Sequence, residues 1–188
     1  MTLYAAEGKH GRLISRALLR TAAHRTFGWT DLPEIARHPH GKPFFPTDPE
    51  RHFNLSHSGA YALCALDSAP VGVDIQVIKP FRQALYNRVC NPSQRAWLRE
   101  LEDDPRAFAL LWALKESRCK QSGRGLTSPI SAIEIPIPTT VPWRTGDVPC
   151  RAELDGLSFT LFSGTGWCAA LCGTATADGI AWVGLPDV

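Results

Sequence analysis

Two acidic residues and a lysine, distant along the chain, have the types and spacing for chemistry at a charged phosphorus or a metal. In WALKESRCK, Trp112, Glu116 and Lys120 recur every fourth residue, so a helix stacks them on one face. In VGVDIQV, Val71, Val73, Ile75 and Val77 alternate with Asp74 and Gln76, as in a strand with one apolar face. A helix packed beside that strand brings Asp74 and Glu116 to a single divalent cation and leaves Lys120 one turn away, placed to hold a phosphate. Two carboxylates with the neutral oxygen of Gln76 suit magnesium, which takes hard oxygen ligands, few protein groups and a substrate phosphate. Glu116 alone reads as ordinary helix surface charge. Asp74 does not, because an acid within an apolar strand is costly to bury.

A second cluster lies upstream, in Gly41-Lys42-Pro43 and Phe53-Asn54-Leu55-Ser56-His57-Ser58-Gly59. Hydroxyl, imidazole and turn amides gathered at a strand end suit a phosphate, as do Lys42 and the basic residues Lys9, His10, Arg12, Arg16, Arg20 and Arg25. A nucleophilic serine fits less well: Ser56 lacks the G-x-S-x-G elbow, and adjacent Ser-His makes no triad.

The elements that must position these groups follow from periodicity and punctuation. Helices are predicted over 8–26, 82–89, 92–100 and 105–121, the last stopped by Gly123 and Gly125. Strands are predicted over 52–56, 61–66, 71–77, 157–161, 167–172 and 180–183, and through the alternating Ile133, Ile135 and Ile137. Residues 39–43 read as a punctuated loop. The result is an α+β chain with its best internal boundary at Ser68-Ala69-Pro70, dividing residues 1–69 from a second half, 70–188, that carries the metal site.

Composition excludes several classes. The 188 residues carry a net charge of +2, too little for a general nucleic-acid field. The apolar runs are too short to span a bilayer. Met1-Thr2-Leu3-Tyr4 lacks a secretory pattern, so a reducing, cytoplasmic setting is expected. The six cysteines form no C-x-x-C pair and read as free core thiols.

In order and spacing, Gly41-Lys42-Pro43, the Phe53–Ser58 run, Gly72-Val73-Asp74-Ile75, Trp112-x-x-Lys115-Glu116-x-x-x-Lys120 and Gly123-Arg124-Gly125-Leu126 resemble phosphopantetheinyl transferases of the surfactin-synthetase type. The resemblance implies a monomeric pseudo-dimer of two similar α+β halves, each with a helix on an antiparallel sheet, and coenzyme A bound between them. The implied reaction moves the phosphopantetheine arm of coenzyme A to a serine of an apo acyl or peptidyl carrier protein. Magnesium, with manganese as the alternative, would be held by Asp74, Glu116 and Gln76. Lys120 would grip the pyrophosphate, and catalysis would rest on Glu116, Lys120 and Asp74. His40, Gly41, Lys42 and Pro43 would lie near adenine and ribose, Ser56 and His57 would touch phosphate, and Arg12 would neutralise the ribose phosphate. Lys79, Arg82, Arg88 and Arg118 would meet an acidic carrier surface. Two residues depart from the pattern: Gln76 and Gln94 stand where the family often has glutamate. They leave open a degenerate module that binds coenzyme A or a carrier without chemistry. A metal-dependent phosphohydrolase lacks the further Asp/His cluster for a second metal.

Overall fold

The computed structural model describes residues 1–80, 82–125 and 129–185. The chain begins with a strand, β1 (Thr2–Glu7), and continues through α1 (Gly11–Phe27), a small ribbon of β2 (Ala36–Arg37) and β3 (Pro43–Phe44), and the hairpin β4 (His52–Ser58) and β5 (Tyr61–Asp67). Then follow β6 (Gly72–Val77), α2 (Gln83–Val89), α3 (Pro92–Glu100), α4 (Pro105–Ser122), β7 (Cys150–Leu154), β8 (Leu157–Gly164), β9 (Trp167–Gly173) and β10 (Ala181–Trp182).

The two halves share a topology. In each, an opening strand leads to helix, the chain returns as a hairpin, and the last strand of the hairpin pairs antiparallel with the first. The orders are β10-β1-β5-β4 and β6-β9-β8-β7. This is the expected α+β pseudo-dimer, with each half opened by a strand rather than by its helix. β10, although late in the chain, joins the first sheet parallel to β1.

Alternation along the strands builds three apolar layers. Tyr4, Ala6, Phe53 and Leu66 face Ile14, Leu18 and Leu19 of α1. Leu3, Ala5 and Leu63 share a layer with Val73, Ile75, Ala169 and Leu171, which joins the halves. Phe159, Leu161, Ala170 and Cys172 receive Leu110, Leu111 and Leu114 of α4. β6 therefore sends Val73 and Ile75 into the middle layer and turns Gly72, Asp74 and Gln76 toward α4. Gly72 permits the approach: a Cβ there would lie 2.0 Å from the Ser117 carbonyl oxygen and 2.3 Å from the Gln121 nitrogen.

The structure departs from the sequence expectations at the isoleucine run and in strands that the periodicity does not predict: β1, the short β2–β3 pair and β7. The isoleucine run forms no strand; a single turn of 3-10 helix (Ile130–Ala132) precedes it. Pro136 and Pro138 alternate with the isoleucines and supply no N–H to a ladder, so alternation alone could not make a strand. Residues 39–42 do form a turn, as expected, closing the β2–β3 ribbon with Gly41 at φ 86°, and Pro43 opens β3. β7, where only Cys150, Ala152 and Leu154 alternate, carried too weak a pattern to be foreseen. Leu126 of the closing motif lies outside the described residues.

Candidate active site

Asp74 is 3% exposed, and both of its carboxylate oxygens accept hydrogen bonds. Oδ1 accepts from Ser56 Oγ at 2.7 Å and from Lys120 Nζ at 2.6 Å, and Oδ2 accepts from Gln76 Nε2 at 2.6 Å. The Lys120 ammonium also donates to Ser56 Oγ and to the Val73 carbonyl. This network offsets the cost of burying a carboxylate with a counter-ion and two neutral donors. Glu116 sits one turn before Lys120 on α4. Burial, then the negative charge of Asp74, push its carboxyl above the ordinary range, while Lys120 pulls it partly back. Each acid therefore acts on the other's charge, with Lys120 opposing both in sign.

Glu116 and Lys120 border a cleft of about 250 Å³ lined also by His40, Gly41, Lys42 and Pro43 from the ribbon, Asn54 and Leu55 from β4, and Cys119, Gly123 and Gly125 from α4 and its end; Asp74 and Ser56 lie buried behind Lys120, and Gln76 faces a different cleft. The first half thus supplies one wall and the second the other. Arg12 and His57 do not line it; both are exposed. Arg12 follows Gly11, whose amide donates to the Gly59 carbonyl at 3.0 Å, and His57 lies two residues before Gly59 on β4.

Several lysines and glutamines do other work than the sequence suggested. Lys42 donates to the carbonyls of Gln121 at 2.7 Å and Val71 at 3.1 Å. It caps the C-terminal end of α4, where a cation is favoured, and fastens the ribbon to the second half. Burial pulls its ammonium down to about 8. Lys115, beside Glu116, is 0% exposed and anchors the irregular segment after α4 through the carbonyls of Ile130 at 2.7 Å and Ile133 at 3.2 Å. Burial likewise lowers it to about 8. Gln94 closes a capping box with Asn91 at the start of α3 and takes no part in the cleft. Arg118 is paired with Asp155 at 2.6 Å, so its charge is already engaged.

The donor set suits a hard cation. Asp74, Glu116 and the amide oxygen of Gln76 are oxygen donors on two adjacent elements, and magnesium completes its octahedron with water and phosphate. Among the described residues no group of three or more His, Cys, Asp or Glu gathers around one point, so a cation here would rely on non-protein ligands. No helix among the described residues is long and apolar enough to cross a membrane. All six cysteines are free thiols, five of them buried and Cys119 half-buried.

Two α+β halves of shared topology meet at a cleft bordered by Glu116 and Lys120 of α4. Residues 70–172 match the model of the 4'-phosphopantetheinyl transferase superfamily, and the chain belongs to that family. It is 36% identical over 135 residues to a 4'-phosphopantetheinyl transferase of Bacillus subtilis, covering 70% of this chain and 60% of that protein. It is 34% identical over 136 residues to 4'-phosphopantetheinyl transferase Sfp of Bacillus subtilis strain 168, again 70% of this chain and 60% of the relative. Against 4'-phosphopantetheinyl transferase AcpT of Escherichia coli O157:H7 it is 31% identical over 157 residues, 81% of this chain and 74% of the relative. The matched part thus spans about three fifths of the length of the Bacillus relatives.

Proposed function

We propose that this chain transfers the phosphopantetheine arm of coenzyme A to a serine hydroxyl of an apo acyl or peptidyl carrier protein, as a monomer in the cytoplasm. The observation that carries the proposal is that Glu116 and Lys120 line a cleft whose two walls come from the two halves, with Lys120 paired to the buried Asp74 at 2.6 Å. Family membership supports the reaction class.

In this scheme the carrier serine oxygen bonds to the β-phosphorus of coenzyme A. The bond from that phosphorus to the bridging diphosphate oxygen breaks, and adenosine 3′,5′-bisphosphate leaves. Glu116 takes the serine proton; its raised carboxyl is better matched to that task than an ordinary one. Lys120 moves its ammonium from Asp74 to the diphosphate and neutralises charge on the leaving side. Asp74, Glu116 and the Gln76 oxygen would hold magnesium, or manganese, which supplies Lewis-acid charge at the diphosphate. His40, Gly41 and Pro43 would contact adenine and ribose. Lys42 would set the position of that wall through its two backbone carbonyls. Arg12 and His57, exposed at the same end of the first half, would meet the ribose phosphate. On the other side of Gln76, Lys79 and Arg82 flank an apolar cleft of about 360 Å³ containing Leu85, Phe108 and Trp112, suited to the pantetheine arm and an acidic carrier.

Intact mass spectrometry of an apo carrier incubated with the protein, coenzyme A and magnesium tests the proposal. A mass gain of one phosphopantetheine is expected, and none with Glu116→Gln. Coenzyme A binding without any mass gain would instead favour a binding module, for which Gln76, one negative charge fewer than a glutamate, is the motivating residue.

A further inference from the structure

The outer edge of β6 is covered by side chains rather than by a strand. The amides of Val73, Ile75 and Val77 donate to Asn54 Oδ1 at 2.8 Å, Ser56 Oγ at 3.2 Å and Ser58 Oγ at 3.0 Å. Each pair is separated by 19 residues, so the polar face of β4 forms a regular ladder onto β6 and docks one half against the other. The middle rung differs from its neighbours. Ser56 Oγ also donates to Asp74 Oδ1 at 2.7 Å and accepts from Lys120 Nζ at 3.1 Å. A hydroxyl has one proton to give and two lone pairs to receive. Ser56, 4% exposed, has used all three, which leaves nothing for a phosphate oxygen.

We propose that Ser56 is a positioning residue: it holds the Asp74 carboxylate and the Lys120 ammonium in register with each other and ties that register to the docking of the two halves. The role rests on the transferase site proposed above and replaces the phosphate contact expected for Ser56. It acts through Asp74, in the way that groups hydrogen-bonded to metal ligands aim them.

The ladder provides its own control. Ser56→Ala and Ser58→Ala each remove one rung, yet only the first releases Asp74. Manganese affinity of the full chain, read from the free-ion EPR signal, separates aim from docking. Ser58→Ala is expected within about twofold of the wild type, whereas Ser56→Ala should bind roughly tenfold more weakly or worse. Ser56→Thr, which keeps the hydroxyl, should restore affinity. Urea unfolding should show similar losses for the two alanine variants. Equal manganese affinity in Ser56→Ala and wild type overturns the role, as does an equal loss in Ser58→Ala. Where alanine at 56 fails to fold, Ser56→Cys keeps the volume with a weaker donor and should still lose affinity; unchanged binding there overturns the role too. A wild type that takes up no manganese also overturns it. A wild type that binds manganese but transfers nothing leaves the positioning role standing and defeats the transferase reading.

Discussion

Gly72→Ala probes the link between one missing side chain and the whole site. A Cβ at this position would sit 2.0 Å from the Ser117 carbonyl oxygen, 2.3 Å from the Gln121 nitrogen and 2.9 Å from its Cα. All three are backbone atoms of α4, so no rotamer change relieves the clash. Reaching an ordinary 3.4 Å contact requires opening the helix–strand distance by about 1.4 Å. Overpacking of this kind costs about 1–3 kcal/mol, and the rigid neighbours on both sides put Gly72→Ala near the upper end. The functional loss should be larger than the stability loss. Asp74 lies two residues from Gly72, and on α4 Glu116 directly precedes Ser117 and Lys120 directly precedes Gln121. The same displacement stretches the 2.6 Å Lys120–Asp74 bond well past hydrogen-bond length. Misplacing catalytic groups by about 1 Å lowers rates on the order of 100-fold. Urea unfolding and the carrier mass assay, run below the transition, measure the two effects. A Gly72→Ala protein with wild-type transfer rate, or one whose crystal structure keeps the Lys120–Asp74 distance, would refute the reasoning.

Glu116→Gln should abolish transfer, with a loss of at least about 10²–10⁴-fold. It should not lower the melting temperature, because burial already disfavours the charged Glu116 carboxylate at neutral pH; calorimetry checks this. Gln76→Glu exchanges a donor to Asp74 for a second negative charge. The apo protein should melt lower and gain more from magnesium than the wild type does, as a thermal-shift titration would show. Stability should rise slightly from pH 8 toward 9 and fall above it. Lys42 and Lys115, lowered from 10.5 to about 8, bind fewer protons folded than unfolded in that window, which makes stability climb with pH. The buried thiols act oppositely: Cys90 is raised from 9.0 to about 11, Cys168 and Cys172 to about 12, and Cys64 further still. They ionise only on unfolding once pH passes 9, and four thiols outweigh two ammonium groups. Urea denaturation under reducing conditions from pH 7 to 10.5 measures the profile; a monotonic rise would contradict it.

How much of this was legible in the sequence depends on whether local period or tertiary partner decided the outcome. The α4 and β6 motifs were readable because Glu116 and Lys120 share a helical face and Asp74 breaks a strand's apolar alternation. The helix 92–100 was equally plain from its opening Pro92-Ser93. The partners of the cations were not readable. Nothing local distinguishes Lys42 and Lys115, which donate to backbone carbonyls, from Lys120, which pairs with a carboxylate. The Asn54, Ser56, Ser58 row held a signal that could have been used: three polar residues at period two, opposite buried Phe53, announce a polar strand face that needs a partner. The adjacent His57 gives the same run the look of a phosphate-binding strand end. The isoleucine alternation misleads because Pro136 and Pro138 lie among the apolar residues and cannot donate to a ladder.

The account depends most on Asp74 and Glu116 sharing one cation with the diphosphate of coenzyme A. A crystal structure grown with manganese and coenzyme A, with data collected at the manganese edge, tests it directly. The expected result is a single anomalous peak bridged by the two carboxylates and a phosphate oxygen, with Lys120 turned from Asp74 to the diphosphate. A peak elsewhere, or coenzyme A bound with its diphosphate away from Glu116, would contradict it.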